Sequence, residues 1–315
     1  MTREEWGIVW HDWLRGVSLI VLCALLAVVY FLRLFSEPVF GLLLCVVAVL
    51  VTAVLAVLNC MSSSSVLPVR LSGAAVILAG GVLLVVAGAQ VLFPGQPTVE
   101  AQLSFLQPQA RLAIPESAGQ GCYLTVRGRP GASPSGQDSE VHATVRLSTA
   151  AGADSFSVNL FRSRPGSSRG GGSSRGPSIS AREADMWFLG ALPAGEGGLE
   201  LASLRPEDAL PLTVGLHVPL LPPQTLAWAL WALVLASLIL AIPMLRQGRF
   251  PAAVPYCLAL AVANQLIARG LPPDRPVLPL VGILLGGIFG GALAGYGATK
   301  VIEKWAAAPA PRPKR

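Results

Sequence analysis

Six apolar stretches divide this 315-residue chain into a group of three, a more polar gap of about 130 residues, and a second group of three. The stretches cover residues 17–35, 39–59, 73–93, 224–245, 251–268 and 277–298. Each approaches the roughly 20 apolar residues that a helix needs to cross a hydrocarbon core about 30 Å thick. The sequence therefore predicts an α-helical membrane protein with six transmembrane helices in a 3+3 arrangement, and it excludes a soluble enzyme.

The composition agrees with a membrane protein. Only 13% of the residues are charged and 53% are hydrophobic, whereas a soluble domain carries about 25% charged residues. The mean hydropathy is +0.62. The formal net charge is +6, and we interpret this basic excess largely as a topology signal, since basic residues concentrate in cytoplasmic loops. We expect no nucleic-acid partner.

The basic residues in short loops predict the orientation of the chain. If the N-terminus is cytoplasmic, the inner ends of the spans hold ten basic residues: Arg3, Arg15, Arg70, Arg246, Arg249, Lys300, Lys304, Arg312, Lys314 and Arg315. The outer short loops then hold three: Arg33, Arg269 and Arg275. This bias places both termini inside, with membrane halves at 1–93 and 224–298 and a basic cytoplasmic tail at 299–315. It places residues 94–223 outside the cytoplasm.

The segment 94–223 changes to the two-residue period of half-buried strands. Apolar residues alternate with polar ones over 141–147 and again over 155–160, and further candidate strands cover 99–105, 121–127, 186–191 and 212–218. We therefore predict an inserted all-β domain of jelly-roll or sandwich-like form. Within it, the Arg-, Ser- and Gly-rich loop 162–180 is either a flexible basic arm for anionic headgroups or a solvated insertion.

The motifs of enzymes and metal sites are missing from the sequence. There is no G-x-x-x-x-G-K-[ST], no G-x-S-x-G, no H-E-x-x-H and no C-x-x-C. The histidines His11, His142 and His217 are far apart, and only His217, just before the fourth span, keeps a small chance of acting as a ligand. We expect no catalytic residues, no metal and no cofactor. At membrane depth, Asn264 and Gln265 suit hydrogen bonds between helices better than a transport site.

The last span carries two interleaved rows of glycine. Each row repeats every four residues, and together they comprise Gly282, Gly286 and Gly290 in one row and Gly287, Gly291 and Gly295 in the other. Small residues at this spacing let helix backbones approach closely. The rows predict close helix packing, either within this chain or at an interface with another membrane subunit.

Several of these features together resemble the lipopolysaccharide-export permeases of the LptF/LptG (YjgP/YjgQ) type. The order of three spans, an extracytoplasmic β domain and three spans is similar. So is the stretch 242–250 after the fourth span, in which Arg246, Gly248 and Arg249 form an R-x-G-R turn behind a proline-containing helix end. The resemblance is best over 225–298 and continues through Gly270-Leu271-Pro272-Pro273 into the glycine-rich last span.

The resemblance implies a non-enzymatic permease subunit of an ABC-type export system in the bacterial inner membrane, with its β domain in the periplasm. Such a subunit pairs with a second permease and a separate cytoplasmic ATPase, and it passes lipopolysaccharide or a related glycolipid to a periplasmic β-jelly-roll bridge. Arg33 matches the basic outer rim that meets lipid phosphates. The transport interpretation also predicts an apolar slot inside the β domain, continuous with the gap between spans one and five or six. The stretch 59–70 corresponds to the family's coupling helix, which docks on the ATPase and carries an acidic residue. Here the stretch carries no acidic residue, so the resemblance does not extend to coupling with an ATPase.

Two other classes remain compatible with the sequence. The first is an envelope scaffold or interaction protein, in which the β domain binds a periplasmic partner and the spans only anchor it. The second is a cytochrome c biogenesis protein of the ResB type, which also places three spans before an external β domain. The histidines that would ligate haem in its flanking spans are missing from the third and fourth spans here.

Overall fold

The structure is a computed structural model that describes residues 21–22, 24–30, 32, 34–63, 67–128, 139–163, 180–206, 211–246, 250–272 and 276–306. Helix α1 is described over residues 24–30. The other helices are α2 (Glu37–Ser63), α3 (Leu67–Leu92), α4 (Pro223–Arg246), α5 (Ala253–Ile267) and α6 (Val277–Ala306). The β strands all lie between α3 and α4, so the β domain is an insertion between two helical halves.

Four of the helices, α2, α3, α4 and α6, are long and apolar enough to cross a membrane. Helix α5 is apolar but has only 15 residues, which span about 22 Å at 1.5 Å per residue. The first predicted span, 17–35, lies only partly within the described residues. The described helices therefore indicate a membrane protein with an inserted β domain, and they support four of the six predicted spans directly.

Two segments outside the predicted spans are largely or partly helical. Helix α2 continues to Ser63 and α3 begins at Leu67, so most of the stretch 59–70 belongs to helices despite its serines and proline. Helix α6 continues to Ala306, past the predicted start of the tail at 299. In both places the helix extends beyond its apolar run. A helix makes its backbone hydrogen bonds within its own segment, so it can continue past the apolar residues.

The β domain consists of two antiparallel sheets. The strands are β1 (Val99–Leu103), β2 (Gln109–Ile114), β3 (Cys122–Arg127), β4 (Ser139–Thr149), β5 (Gly152–Ser163), β6 (Ser180–Arg182), β7 (Ala184–Gly190), β8 (Gly195–Arg205) and β9 (Leu212–His217). Sheet A has the order β1-β9-β3-β7, and sheet B has the order β2-β8-β4-β5-β6. A short 3₁₀ helix, Glu116–Gln120, links β2 to β3.

The inner faces of the two sheets share one filled core. Its buried residues come from both sheets, with Leu103, Leu124 and Leu216 on sheet A and Leu112, Leu147, Leu160 and Leu199 on sheet B, all at most 2% exposed. Alternation of apolar and polar residues along each strand directs these side chains inward. In the described part of the domain, this packing occupies the space between the sheets, so the expected apolar slot is not found there.

The two glycine rows of α6 have different surroundings. A Cβ atom on Gly287 would lie 2.8 Å from the Cβ of Ala263, and Cβ atoms on Gly291 and Gly295 would meet the backbone of Ala259 and Pro255. All three neighbours belong to α5. Cβ atoms on the other row, Gly282, Gly286 and Gly290, would have no neighbour within 4 Å. One row therefore packs α6 against α5, and the other faces outward.

We expect Gly291→Ala to destabilise the protein and Gly290→Ala to leave it at least as stable as the wild type. Both changes gain the same helix propensity, about 1 kcal/mol. Only Gly291→Ala forces α6 away from the backbone of α5, at a cost of about 1–3 kcal/mol for an overpacked contact. The measurement is the loss of helical circular dichroism during titration of the micellar protein with a denaturing detergent. Equal stability of the two variants would contradict the close approach.

Candidate functional site

The outer face of sheet A rests on the ends of the helices. Tyr123 on β3 and Met186 on β7 belong to the same buried cluster as residues of the helices. Gly270, after α5, has a φ of +99°, and a Cβ atom on it would lie 2.9 Å from the carbonyl oxygen of Met186. The loop between α5 and α6 therefore presses directly on β7, and only glycine fits there. This contact surface, which we call the seam, joins the β domain to the helices.

A groove of about 690 Å³ opens at one side of the seam. Helix α4 contributes Gln224, Trp228 and Trp231, α5 contributes Gln265, and β7 contributes Phe188. Trp228 is 76% exposed and Trp231 is 43% exposed, so their rings form an open wall. We call this feature the aromatic groove. Its volume is within the range of ligand sites, about 300–1,000 Å³.

The position of the aromatic groove suits the boundary between bilayer and water. It lies at the beginning of α4, where Pro223 is the first helical residue, and near the end of α5 at Ile267. Trp is enriched at membrane interfaces because its ring is apolar and its N–H is polar. Gln224 and Gln265 add two exposed amides. The groove can therefore hold an apolar chain against the Trp rings and a polar group against the amides.

Phe188 connects this groove to the β domain. Its ring centroid lies 5.4 Å from that of Tyr123. A Cβ atom on Gly121 would lie 3.1 Å from the ring of Phe188 and 3.4 Å from Pro223, and Gly121 has a φ of +111°. A larger residue at Gly121 would therefore push the ring away from the beginning of α4. Gly121 therefore allows Phe188 of sheet A to pack against the beginning of α4 beside the groove.

A polar junction lies behind the groove. The Oε1 atom of Gln90 on α3 accepts a hydrogen bond of 3.0 Å from the backbone N–H of Leu221, while its Nε2 atom is buried without a partner. A cavity of about 10 Å³ beside it is lined by Tyr123 and by Asn264, which is 2% exposed. Asn264 is thus buried between elements, whereas Gln265 is exposed in the groove, and hydrogen bonds between helices stay a prediction for both residues. The hydrogen bond between Leu221 and Gln90 therefore links the connection between β9 and α4 to α3.

The same face of sheet A is polar toward β9 and β1. His217 on β9 is 2% exposed, and its Nε2 atom lies 2.9 Å from Oγ1 of Thr125 on β3. The Thr125 hydroxyl donates a 3.3 Å hydrogen bond to the carbonyl oxygen of Gly215. The ring of His217 is thus joined to β3 through Thr125. Its Nδ1 atom is buried and has no hydrogen-bond partner.

The surroundings of His217 favour its neutral form. Burial lowers its pKa below the ordinary value of 6.5. The positive charge of Arg127 acts in the same direction, while the backbone at Pro94 and Gln96 and the carboxylate of Glu100 oppose it. The ring lies close to the connection between α3 and β1, at Pro94 and Gln96, and His217 is the last residue of β9, directly before the connection to α4. A neutral ring therefore suits this buried position.

Arg246, the residue of the family-like pattern within the described part of the chain, does not lie in the groove. Arg246 is exposed in the last turn of α4, at the opposite end of that helix from Trp228. Arg33, Gly248 and Arg249 lie outside the described residues, as do most of the loop 162–180 and the end of the tail. The sequence reasoning did not find Trp228, Trp231 and Phe188. The Trp spacing of three residues, near the beginning of the fourth predicted span, was the available signal.

No protein-family model matches this chain, and no curated protein sequence matches it. The fold and the groove therefore define its class: a membrane protein with an inserted β domain of two antiparallel sheets. The site that the fold presents is an aromatic groove at the junction of these two parts.

We expect the protein to lose stability as the pH falls below about 6.5 because of His217. A histidine whose folded pKa is lowered binds fewer protons than it does in the unfolded chain, so acid favours unfolding. The loss is about 1.4 kcal/mol for each pKa unit of lowering. The measurement is the Tm of the micellar protein between pH 8 and pH 5, which we expect to fall less for His217→Gln. The matched control is His142→Gln at an exposed histidine, which should retain the wild-type loss.

Proposed function

We propose that this chain is a permease-like transmembrane subunit of an ABC-type export system for lipopolysaccharide or a related glycolipid. It would lift the lipid from the outer leaflet of the bacterial inner membrane and pass it to a periplasmic β-jelly-roll bridge. The observation that carries the proposal is the aromatic groove, which is open beside the beginning of α4 and has Phe188 of the β domain in its wall. The acyl chain of a lipid can pack on Trp228 and Trp231, while the headgroup of the same lipid contacts the amides and sheet A.

The proposal includes six crossings, with both termini in the cytoplasm and the β domain in the periplasm. The ten basic residues at the inner ends, against three at the outer ends, support this orientation. Helix α5 would complete its crossing with the turns on either side of it. The burial of α5 supports this, because ten of its residues are buried against other elements. A helix that is mostly surrounded by protein need not match the thickness of the hydrocarbon core by itself.

The strand order supports a jelly-roll classification of the β domain. Strands β1 to β4 alternate between sheets A and B, and β7 to β9 alternate again. Alternation of this kind produces two interlocked Greek keys in a double sheet. A jelly roll in this chain would match the form of the periplasmic bridge that the proposal requires.

The partners in this proposal are a second permease subunit and a separate cytoplasmic ATPase, with any ATPase activity in the latter. The second permease would pack on the outward glycine row of α6, where Gly282, Gly286 and Gly290 have open space beside them. The neighbouring side chains Leu278, Phe289 and Leu293 are 66–78% exposed. Close backbone approach at such a row is a common mode of helix association in membranes.

The filled core of the β domain favours a second candidate, the non-catalytic envelope scaffold. A domain without an interior slot can still bind a periplasmic partner by adding a strand to an open sheet edge. Sheet A ends at β1 and β7, and sheet B ends at β2 and β6. In this alternative the helices anchor the domain, and the groove holds ordinary membrane lipid. The ResB-type alternative gains no support from the described residues.

The deciding experiment is purification from the native host in mild detergent, with mass spectrometry of the proteins and lipids that are recovered. The export proposal expects an ATP-binding-cassette subunit, a second multi-span permease and a lipid A-type glycolipid. Recovery of envelope proteins alone, with neither ATPase nor glycolipid, would favour the scaffold. Recovery of none of these would remove the support for both.

We expect the double variant Trp228→Ala/Trp231→Ala to retain several-fold less glycolipid than the wild type, because the acyl chain loses its aromatic wall. The control is Leu235→Ala, which changes a 60% exposed residue on the same helix outside the groove. The measurement is bound glycolipid per protein after washing in detergent. Equal retention by the double variant and the control would show that lipid is not held in the groove.

The orientation can be tested with single cysteines. Because Cys45, Cys60, Cys122 and Cys257 are buried, a Cys23→Ala background should react weakly with a membrane-impermeant maleimide. We expect Ser148→Cys in β4 to be labelled once the outer membrane is permeabilised. Lys304→Cys in α6 should be labelled only after the inner membrane is disrupted. The reverse pattern would place the β domain in the cytoplasm and end the proposed topology.

A further inference from the structure

A second, polar pocket lies on the outer face of sheet A. It measures about 350 Å³ and is enclosed by the connection between α3 and β1, at Gln96, and by strands β1, β9 and β3. The side chains that define it are Glu100 on β1, Thr125 and Arg127 on β3, and Thr213 on β9. We call it the sheet pocket. It is separate from the aromatic groove, with which it shares no lining residue.

Gly215 creates the space for this pocket. The strand register places Gly215 between Glu100 on one side and Thr125 on the other. A Cβ atom on Gly215 would lie 2.9 Å from the Cβ of Pro97 and 3.1 Å from Oγ1 of Thr125. The missing side chain lets the connecting segment cross close to the sheet at Pro97, and the hollow of the pocket lies beside this crossing. The walls of the hollow are therefore polar side chains on the adjacent strands.

The two charges of the pocket stand on opposite walls. Glu100 lies on β1 and Arg127 on β3, with β9 between them. Their register positions differ by two residues along β9, at Gly215 and Thr213, so their backbones are about 12 Å apart. In the described part of the chain, no ion pair joins Glu100 to Arg127. Each charge can therefore pair with an opposite charge on a bound molecule.

The floor of the pocket is formed by Thr125, which is buried and hydrogen-bonded. Thr125 is 2% exposed, and its hydroxyl is fixed by His217 and by the carbonyl oxygen of Gly215. His217 is also 2% exposed and keeps an unpaired Nδ1 atom. Both charges of the pocket act on this ring, with opposite signs. A buried and connected polar floor of this kind holds its side chains in place before a ligand binds.

We propose that the sheet pocket binds a small zwitterionic group with the chemistry of phosphoethanolamine. The phosphate oxygens pair with the guanidinium of Arg127, which suits bidentate contact, and accept a hydrogen bond from Thr213. The ammonium pairs with Glu100. A phosphate alone would face the repulsion of Glu100, and an amine alone would face that of Arg127. The proposal does not depend on the export function.

The ligand can come from two sources, a lipid headgroup or a soluble molecule. Tyr123, two residues before Thr125 on the same face of β3, is the register neighbour of Phe188 in the aromatic groove. The sheet pocket therefore begins about 7 Å along β3 from the strand position that adjoins the groove. A lipid whose chain lies in the groove can direct its headgroup toward the sheet pocket.

The test is a binding titration with the full-length protein in detergent, with soluble O-phosphoethanolamine as the probe and inorganic phosphate and ethanolamine as comparisons. We expect the zwitterion to bind at least about tenfold more tightly than either comparison, since each loses one charged contact. Native mass spectrometry with phosphatidylethanolamine and with phosphatidylglycerol forms the lipid arm. Binding of the first lipid without the soluble zwitterion identifies a headgroup as the source. Binding of the soluble zwitterion without that lipid identifies a free ligand.

The variants Arg127→Gln and Glu100→Gln should each weaken binding at least about tenfold. Both side chains are exposed, and circular dichroism checks that the variants fold. The matched controls are Arg111→Gln and Glu196→Gln, which break an exposed ion pair on sheet B and should leave binding unchanged. If neither probe class binds, or if phosphate binds equally well and Glu100→Gln has no effect, the proposal is overturned.

Discussion

The contact between the outer face of sheet A and the helix ends is the constraint on which the rest of the structure depends. A two-sheet domain normally buries only its inner faces and leaves its outer faces to water. Here one corner of an outer face, at Tyr123 and Met186, joins the buried cluster of the helices. The remainder of that face, at Thr125 and His217, stays polar. The boundary between these two regions therefore divides the outer face of sheet A into an apolar surface and a polar surface.

Glycines make this contact possible at two points. Gly270 allows the loop after α5 to touch the backbone of β7, and Gly121 allows Phe188 to touch the beginning of α4. Both have positive φ values, which other residues rarely adopt. The close contact of α6 with α5 follows the same principle, since a row of glycines replaces side-chain packing by backbone packing. Helix α5 is the partner in this contact, and ten of its 15 residues are buried.

Local sequence patterns predict the elements that have a clear period. The strand patterns at 141–147 and 155–160 are confirmed as parts of β4 and β5, and four of the apolar runs are confirmed as membrane-length helices. Strand β8 is missed because its glycines, at 195, 197 and 198, suggest a turn. The register shows why it is a strand: Gly197 faces Leu112 across the β2–β8 pair, where neighbouring strands supply the packing. Such a compensation is not visible within one segment.

The sites themselves are non-local, and this is why the sequence did not predict them. The sheet pocket forms only because β9 pairs with both β1 and β3, which brings Glu100, Gly215 and Thr125 into one row. The filled core has a further consequence for the export proposal. A lipid that leaves the groove would have to follow the outer face of sheet A, past Tyr123, because the space between the sheets is occupied. That face is apolar near the helices and polar beyond Thr125, so it can guide a headgroup but offers an acyl chain little apolar surface. The acyl chains would therefore need a second apolar wall, and in the export proposal a second subunit supplies it.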